Sequence, residues 1–211
     1  MKREHPRISP VLLKKDFQEV LFEEDPILET SEIKECEFTN QTVYRLRIHD
    51  AVISNSQFNA SDFAHIDLLD VRFKNCDLSN VNMEGASIHR VEFINCKLLG
   101  CQFPESSLGN ILFSESVLNF AAFGNVKMKN ISFENSLLMA ADFYDCKLKN
   151  VAFDHCQLNE ATFEQTPLNN IDISTCEFEK LSVSVDNIKG CTVSTYQAIQ
   201  FSSLLGLKIK E

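Results

Sequence analysis

Asp142 and Asp145 stand three residues apart, and five histidines and eight cysteines are scattered along a chain of 211 residues. These are the side chains that could do chemistry. Paired carboxylates can divide general acid and base work when an oriented, desolvated site holds them. Cysteine and histidine can hold zinc, but the C-x-x-C and mixed Cys/His spacings that do so are missing. There is no G-x-S-x-G, no Walker loop and no G-x-G-x-x-G, and 6 glycines are too few to build a phosphate cradle. What the remaining candidates can do depends on the elements that position them.

Those elements follow from one periodicity. Every fifth residue from Ile33 to Val193 is apolar, without an insertion, in a chain that is 44% hydrophobic. A run of that length is not accidental, and it covers about three quarters of the sequence. Two residues before most of these centres the side chain is small or β-branched, as at Ser31, Ala51, Val71, Ala86, Ala121, Ala141 and Ala161. All eight cysteines, Cys36, Cys76, Cys96, Cys101, Cys146, Cys156, Cys176 and Cys191, fall in this same phase. They read as small, reduced core residues of a cytoplasmic protein.

Neither a period of 3.6 nor a period of 2 keeps a five-residue repeat on one face over such a length. A coil that turns a corner every five residues does. Asn55, Asn75, Asn95 and Asn135 share one twenty-residue phase, and Asn110, Asn130, Asn150 and Asn170 share another. Four pentapeptides per turn explains both, because residues twenty apart then stack as a ladder along the axis. The result is an all-β solenoid of about eight uninterrupted coils and about 40 Å.

This placement removes the catalytic candidates. His49 and His89 share a phase, yet Leu69 lies between them and two coil steps of about 4.8 Å hold them too far apart for one metal. Asp142 and Asp145 are expected outward on a convex rod, as solvated charges. No catalytic residue, cofactor site or metal site is expected, and the chain reads as a non-enzyme. Asn40, Asn59 and Asn130 begin glycosylation sequons that carry no meaning without export. Lys14, Lys15 and Asp16 interrupt the apolar stretch near the N-terminus, and no apolar run approaches a membrane span. A net charge of −10 disfavours direct binding to nucleic acid.

The expected organisation is an N-terminal cap segment over residues 1–30, a repeat domain over 31–193 and a C-terminal helix and dimerisation segment over 194–211. Val11, Leu12, Leu13, Phe17, Val20, Leu21 and Phe22 would cover the first coil. Ser194 or Thr195 is the candidate N-cap of the helix and Gly206 its stop. Ile199, Phe201, Leu204, Leu205, Leu207 and Ile209 then form either a monomer's lid or, burying more, a tail-to-tail homodimer interface.

Sorting charges by face makes the rod two-sided. Asp62, Glu84, Glu105, Asp142, Asp145 and Glu164 share one face, against Arg45 alone. The face of Phe73, Phe93, Phe113 and Phe133 is also acidic, through Glu92, Glu115, Glu134, Asp154 and Asp172. Lys127, Lys129, Lys147, Lys149 and Lys189 occupy the opposite pole. Leu99, Val117, Phe120, Leu137 and Met139 cluster at nominally outward positions, as a contact surface or folded back at the corners. A narrow acidic rod presents carboxylates in series as duplex DNA presents phosphates.

The motif, as in AlaAspPheTyrAsp at 141–145 and CysAspLeuSerAsn at 76–80, resembles the pentapeptide-repeat proteins. That resemblance implies a right-handed quadrilateral β-helix. PheLysAsnCysAspLeuSerAsnVal at 73–81 and ThrTyrGlnAlaIle at 195–199 are similar to the Qnr-type quinolone-resistance proteins, chromosomal Gram-positive members above all, over roughly residues 26–209. The resemblance implies a homodimer joined through its C-terminus that binds DNA gyrase and topoisomerase IV and protects them from fluoroquinolones. The unbroken register departs from the loop-bearing Gram-negative members and is similar to loop-free relatives such as mycobacterial MfpA. The alternative is a generic protein-interaction scaffold with another cytosolic partner.

Overall fold

The computed structural model describes residues 3–210. Its frame is an all-parallel sheet of eight strands stacked in chain order. β1 (Leu13–Lys14) precedes seven strands of eight residues: β2 (Ile27–Lys34), β3 (Arg47–Ser54), β4 (Asp67–Lys74), β5 (Ser87–Ile94), β6 (Ser107–Ser114), β7 (Lys127–Glu134) and β8 (Lys147–Asp154). From β2 onward each residue pairs with the one twenty positions later, as in Phe73 with Phe93 and Phe93 with Phe113. Single bridges repeat that register on the other faces, from Glu37 with Gln57 to Asp172 with Thr192. Four pentapeptides therefore make one turn, with no loop leaving the coil.

The corners show why asparagine recurs. Every fifth residue from Thr30 to Asn170 has positive φ, near 47–66°. An L-residue pays for this conformation through its Cβ, and asparagine tolerates it best among side-chain-bearing residues. Two sites use glycine, and at Gly85 a Cβ would also lie 2.4 Å from His65 Nδ1. Asparagines then ladder between coils: Asn75 donates to Asn55 at 3.1 Å, Asn95 to Asn75 at 2.9 Å, and Asn150 to Asn130 at 3.0 Å. The corner rule lapses after Asn170. There Glu160 N–H bonds the carbonyl of Lys180, one residue beyond the usual offset, and the Asn159 side chain caps the amides of Glu179 and Lys180.

Inside, phenylalanines stack one per coil. Phe73, Phe93, Phe113, Phe133 and Phe153 follow each other at 5.0–5.1 Å, and Phe103, Phe123, Phe143 and Phe163 at 4.8–5.0 Å. The two columns meet edge to face, at 5.8 Å between Phe143 and Phe153, a geometry that suits the ring quadrupoles. Strand spacing sets the ring spacing. Six of the cysteines are buried beside these columns, and Cys36 and Cys191 are half-buried. Burial pushes the Cys146 thiol up to about 12 and those of Cys36 and Cys191 to about 11. Such thiols are packing groups, not nucleophiles.

Both ends of the stack are closed. At the first coil a 3-10 helix (Phe17–Phe22) inserts Phe17 edge-on against Phe38 and Phe58, at 4.7 and 4.8 Å. Phe17 and Val20 are buried, whereas Val11, Leu13, Leu21 and Phe22 face solvent. At the last coil Ser194 caps α1 (Thr195–Phe201) in a capping box with Gln197. The buried Gln197 amide donates to the carbonyls of Ile173 and Cys176, both at 2.8 Å, and Gln200 donates to that of Phe178. These side chains satisfy edge carbonyls that would otherwise template another strand. Gly206, at φ 70°, ends the 3-10 turn Ser202–Leu205. Among the described residues no helix is long and apolar enough to cross a membrane.

Candidate functional site

Each pentapeptide exposes the residues flanking its centre and the corner residue after them, so the stacking lines surface chemistry into columns parallel to the axis. On the face of Phe63, Phe103, Phe123 and Phe163, Glu84, Glu105, Asp145 and Glu164 are exposed, and Asp62 and Asp142 are half-buried. Asp62 takes bonds from the Ala64 amide and the Asn82 side chain, and Asp142 takes one from the Tyr144 amide, at 2.9–3.0 Å. Among the described residues none of the six is in a salt bridge. Asp62 and Asp142 lie four coils apart, about 19 Å. The six together supply about one charge per 4 Å of axis, where duplex DNA supplies one per about 1.7 Å.

The lysine pole is also built by register. Lys127 pairs with Lys147 and Lys129 with Lys149 across β7 and β8, which sets like charges directly opposite. On a third face Phe120 is 62% exposed at a corner of φ 58°, with Leu99, Leu137 and Met139 also exposed and Val117 half-buried. Most of that cluster therefore faces outward. The histidines are dispersed: His49 and His89 both pair in register with the intervening Leu69, and His49 Nε2 meets Asp67 at 3.0 Å. No three His, Cys, Asp or Glu side chains group to hold a metal among the described residues.

The second acidic face holds a feature that the repeat pattern does not reveal. Residues 3–9 do not lie over the first coil. They run along the rod as a strap, from Ser9 at Asp50 to Glu4 at Asn110. The Ser9 amide and hydroxyl donate to Asp50 at 2.7 and 2.6 Å, the Arg7 amide to Asp70 at 2.8 Å, and the Glu4 amide to Asn110 at 3.1 Å. Arg3 and His5 both reach Glu92 at 3.1 Å, and Arg72 holds its other oxygen at 2.8 Å. Arg90 grips both oxygens of Asp70 at 2.6 and 2.7 Å. The sequence signal was the pair Arg3 and His5, spaced two apart as on one side of an extended segment, whereas the Arg7 guanidinium turns to Glu4 at 2.8 Å.

Burial acts to raise the Asp70 carboxyl, but Arg90 and the Arg7 amide hold it below the usual range. Glu92 is likewise held low against burial by hydrogen bonds from His5, Arg72 and Arg3 and by the charge of Arg72, and Asp50 by Ser9. Carboxyls with lowered folded values stabilise the fold above their unfolded values, and that stability is lost as pH falls through the folded ones. Thermal melts should therefore drop between pH 7 and pH 3. Asp70→Asn, which removes the charge-assisted bonds at a buried carboxylate, should lower Tm by about 3–8 °C at pH 7 and narrow the gap between the two pH values. An unchanged gap would place the acid-sensitive groups elsewhere.

At the C-terminus Phe201 packs against Phe178 with ring centroids 5.5 Å apart. The outer surface there is apolar, with Leu205 63%, Leu207 59% and Ile209 56% exposed, and Ile199 and Leu204 also exposed. Val185, Ile188, Phe201, Leu204, Leu205 and Leu207 line a hollow of about 470 Å³.

Residues 51–90 match the family described as Pentapeptide repeats (8 copies), and residues 86–163 match the Pentapeptide repeat region. No curated protein matches the chain. Among solved structures it is similar to full-length QnrB1, a plasmid-mediated fluoroquinolone resistance protein, at 18% identity and TM-score 0.44, over 83% of this chain and 100% of that one. It is also similar to a pentapeptide repeat protein from the thylakoid lumen of Arabidopsis thaliana, at 20% identity and TM-score 0.42, over 44% and 67%. HetL of Nostoc sp. strain PCC 7120, involved in heterocyst differentiation regulation, matches at 12% identity and TM-score 0.28, over 86% and 98%. The two family matches run without a gap over more than half the sequence, in the same five-residue register that sets the corners of the coil from Thr30 to Asn170, and the chain belongs to the pentapeptide-repeat proteins.

Proposed function

We propose that this chain is a Qnr-type binding protein, without catalytic chemistry, that engages DNA gyrase and topoisomerase IV through its acidic side and modulates their response to fluoroquinolones. The observation that carries the reading is the face of Asp62, Glu84, Glu105, Asp142, Asp145 and Glu164, six carboxylates without a salt bridge among the described residues on a rod of narrow section. A surface built to attract DNA phosphates attracts such a face by the same Coulombic term. The rod works in the cytoplasm as a homodimer joined through its C-terminal segments, which doubles the length of acidic surface. The alternative, docking of another cytosolic protein on the apolar cluster, is favoured by the exposed ring of Phe120.

Supercoiling by purified gyrase, with and without ciprofloxacin, tests the proposal across a titration of the protein. Rescue of drugged activity establishes protection, inhibition alone establishes competition with DNA, and no effect on either topoisomerase rejects the reading. The triple variant Glu84→Lys, Glu105→Lys, Asp142→Lys should abolish the effect at any concentration that suffices for the parent. Undiminished activity of that variant would move the contact off this face. Binding by the acidic side should also weaken steeply with salt, and docking on Phe120 should not.

A further inference from the structure

The strap marks out a trench rather than ending one. Beyond Arg3 and His5 the same corner continues for three more coils as an open cavity of about 1050 Å³, whose lining includes Glu134, Asn150, Asp154, Asn170 and Asp172. The first half of the trench shows how it reads its occupant, which is an extended basic segment of this same chain. Backbone amides of the segment donate to corner oxygens of Asp50, Asp70 and Asn110, and its Arg3 and His5 reach the flanking Glu92. The five residue-to-residue steps from Ser9 to Glu4 cover three coil spacings, about 14 Å, which an extended backbone spans with little slack.

The open half repeats this chemistry. The asparagine ladder that accepts Glu4 at Asn110 runs on through Asn130 to Asn150. It ends at Asn150, with no bond from Asn170 to Asn150 among the described residues. Asn150 Oδ1 thus accepts no hydrogen bond from the described residues. Alongside, Glu134 takes a bond from Ser132, Asp172 from the Ser174 amide, and Asp154 from Thr175, with His155 at 3.8 Å. None of the three pairs with an arginine or lysine among the described residues, in contrast to Asp70 and Glu92 in the covered half.

We infer that the open half of the trench is a docking groove for an extended, basic peptide segment of a partner protein. The segment continues the strap along the axis, with its amides on the corner asparagines and its arginines or lysines on Glu134, Asp154 and Asp172. This groove lies on a different face from the six carboxylates discussed above and does not depend on the topoisomerase reading.

Fluorescence anisotropy with the full chain tests it, using a fluorescein-labelled dodecapeptide that alternates arginine with serine and a matched glutamate peptide. The arginine peptide should bind at low salt. The variant Glu134→Gln, Asp154→Asn, Asp172→Asn alters partly or fully exposed side chains, so its Tm should be unchanged while its affinity falls at least tenfold. The glutamate peptide should not bind. Equal affinity for parent and variant, or absence of binding, overturns the inference. So does loss of binding in Asp50→Asn, Asp70→Asn with the triple variant unaffected, which would mean that the peptide displaces the strap. Loss confined to Glu84→Gln, Glu105→Gln, Glu164→Gln would place the peptide on the other acidic face and also overturn it.

Discussion

Phe123→Ala should destabilise the protein by about 3–5 kcal/mol, measured by urea denaturation. Phe123 is fully buried between Phe103 and Phe143, at 5.0 and 4.9 Å, and presents its edge to Phe113 and Phe133. The cost lies at the upper end for a large-to-small change because the site cannot collapse. Its neighbours are held one coil above and one below by backbone bonds such as Phe123 N–H to Asp142 at 2.7 Å and Phe103 N–H to Ala122 at 2.8 Å. The cavity therefore persists, and the lost contacts are not recovered. Because each coil touches only its neighbours, a defect in the middle should also broaden the transition. Phe120→Ala, three residues away and solvent-facing, should cost less than about 0.5 kcal/mol. A loss below about 1 kcal/mol for Phe123→Ala would mean that the columns relax and the stacked core is not rigid.

Leu204→Glu with Leu205→Glu should convert a dimer into a monomer, read by light scattering as a halving of molar mass with Tm little changed. Leu204, Leu205, Leu207, Ile199 and Ile209 leave an apolar surface on the outer side of a segment whose inner side already closes the last coil through Gln197 and Phe201. Capping the solenoid needs only the inner side, so the outer one is free to meet its own copy across a two-fold axis. Two carboxylates placed there would face two more from the second copy, which penalises association by both desolvation and repulsion. A dimer that survives the change would rule out the tail-to-tail arrangement and direct attention to the cluster around Phe120.

Much of this architecture is legible without coordinates. A five-residue period, small or β-branched residues two before most centres and a twenty-residue asparagine phase lead to four sides per turn, and pairings such as Phe93 with Phe113 follow. Capping by Ser194 and termination at Gly206 were likewise written locally. The asparagines were legible as ladders at the corners, but not as left-handed residues. Their left-handed backbone, shared with Glu105, Phe120 and His155 at equivalent positions, follows from the path of the coil and not from residue type.

The sequence by itself determined the coil, its register and the sorting of charges into columns. Those depend on a packing requirement that every pentapeptide repeats, so each copy reports it again within five residues. Only the tertiary structure decided which acidic column is open and which is covered. Arg7 meets Asp70 and Arg3 meets Glu92 across 63 and 89 residues, and nothing in the local pattern of either segment specifies its partner. The strap's course follows from the stacking of coils, which brings Asp50, Asp70 and Asn110 into one line that an extended basic segment can span.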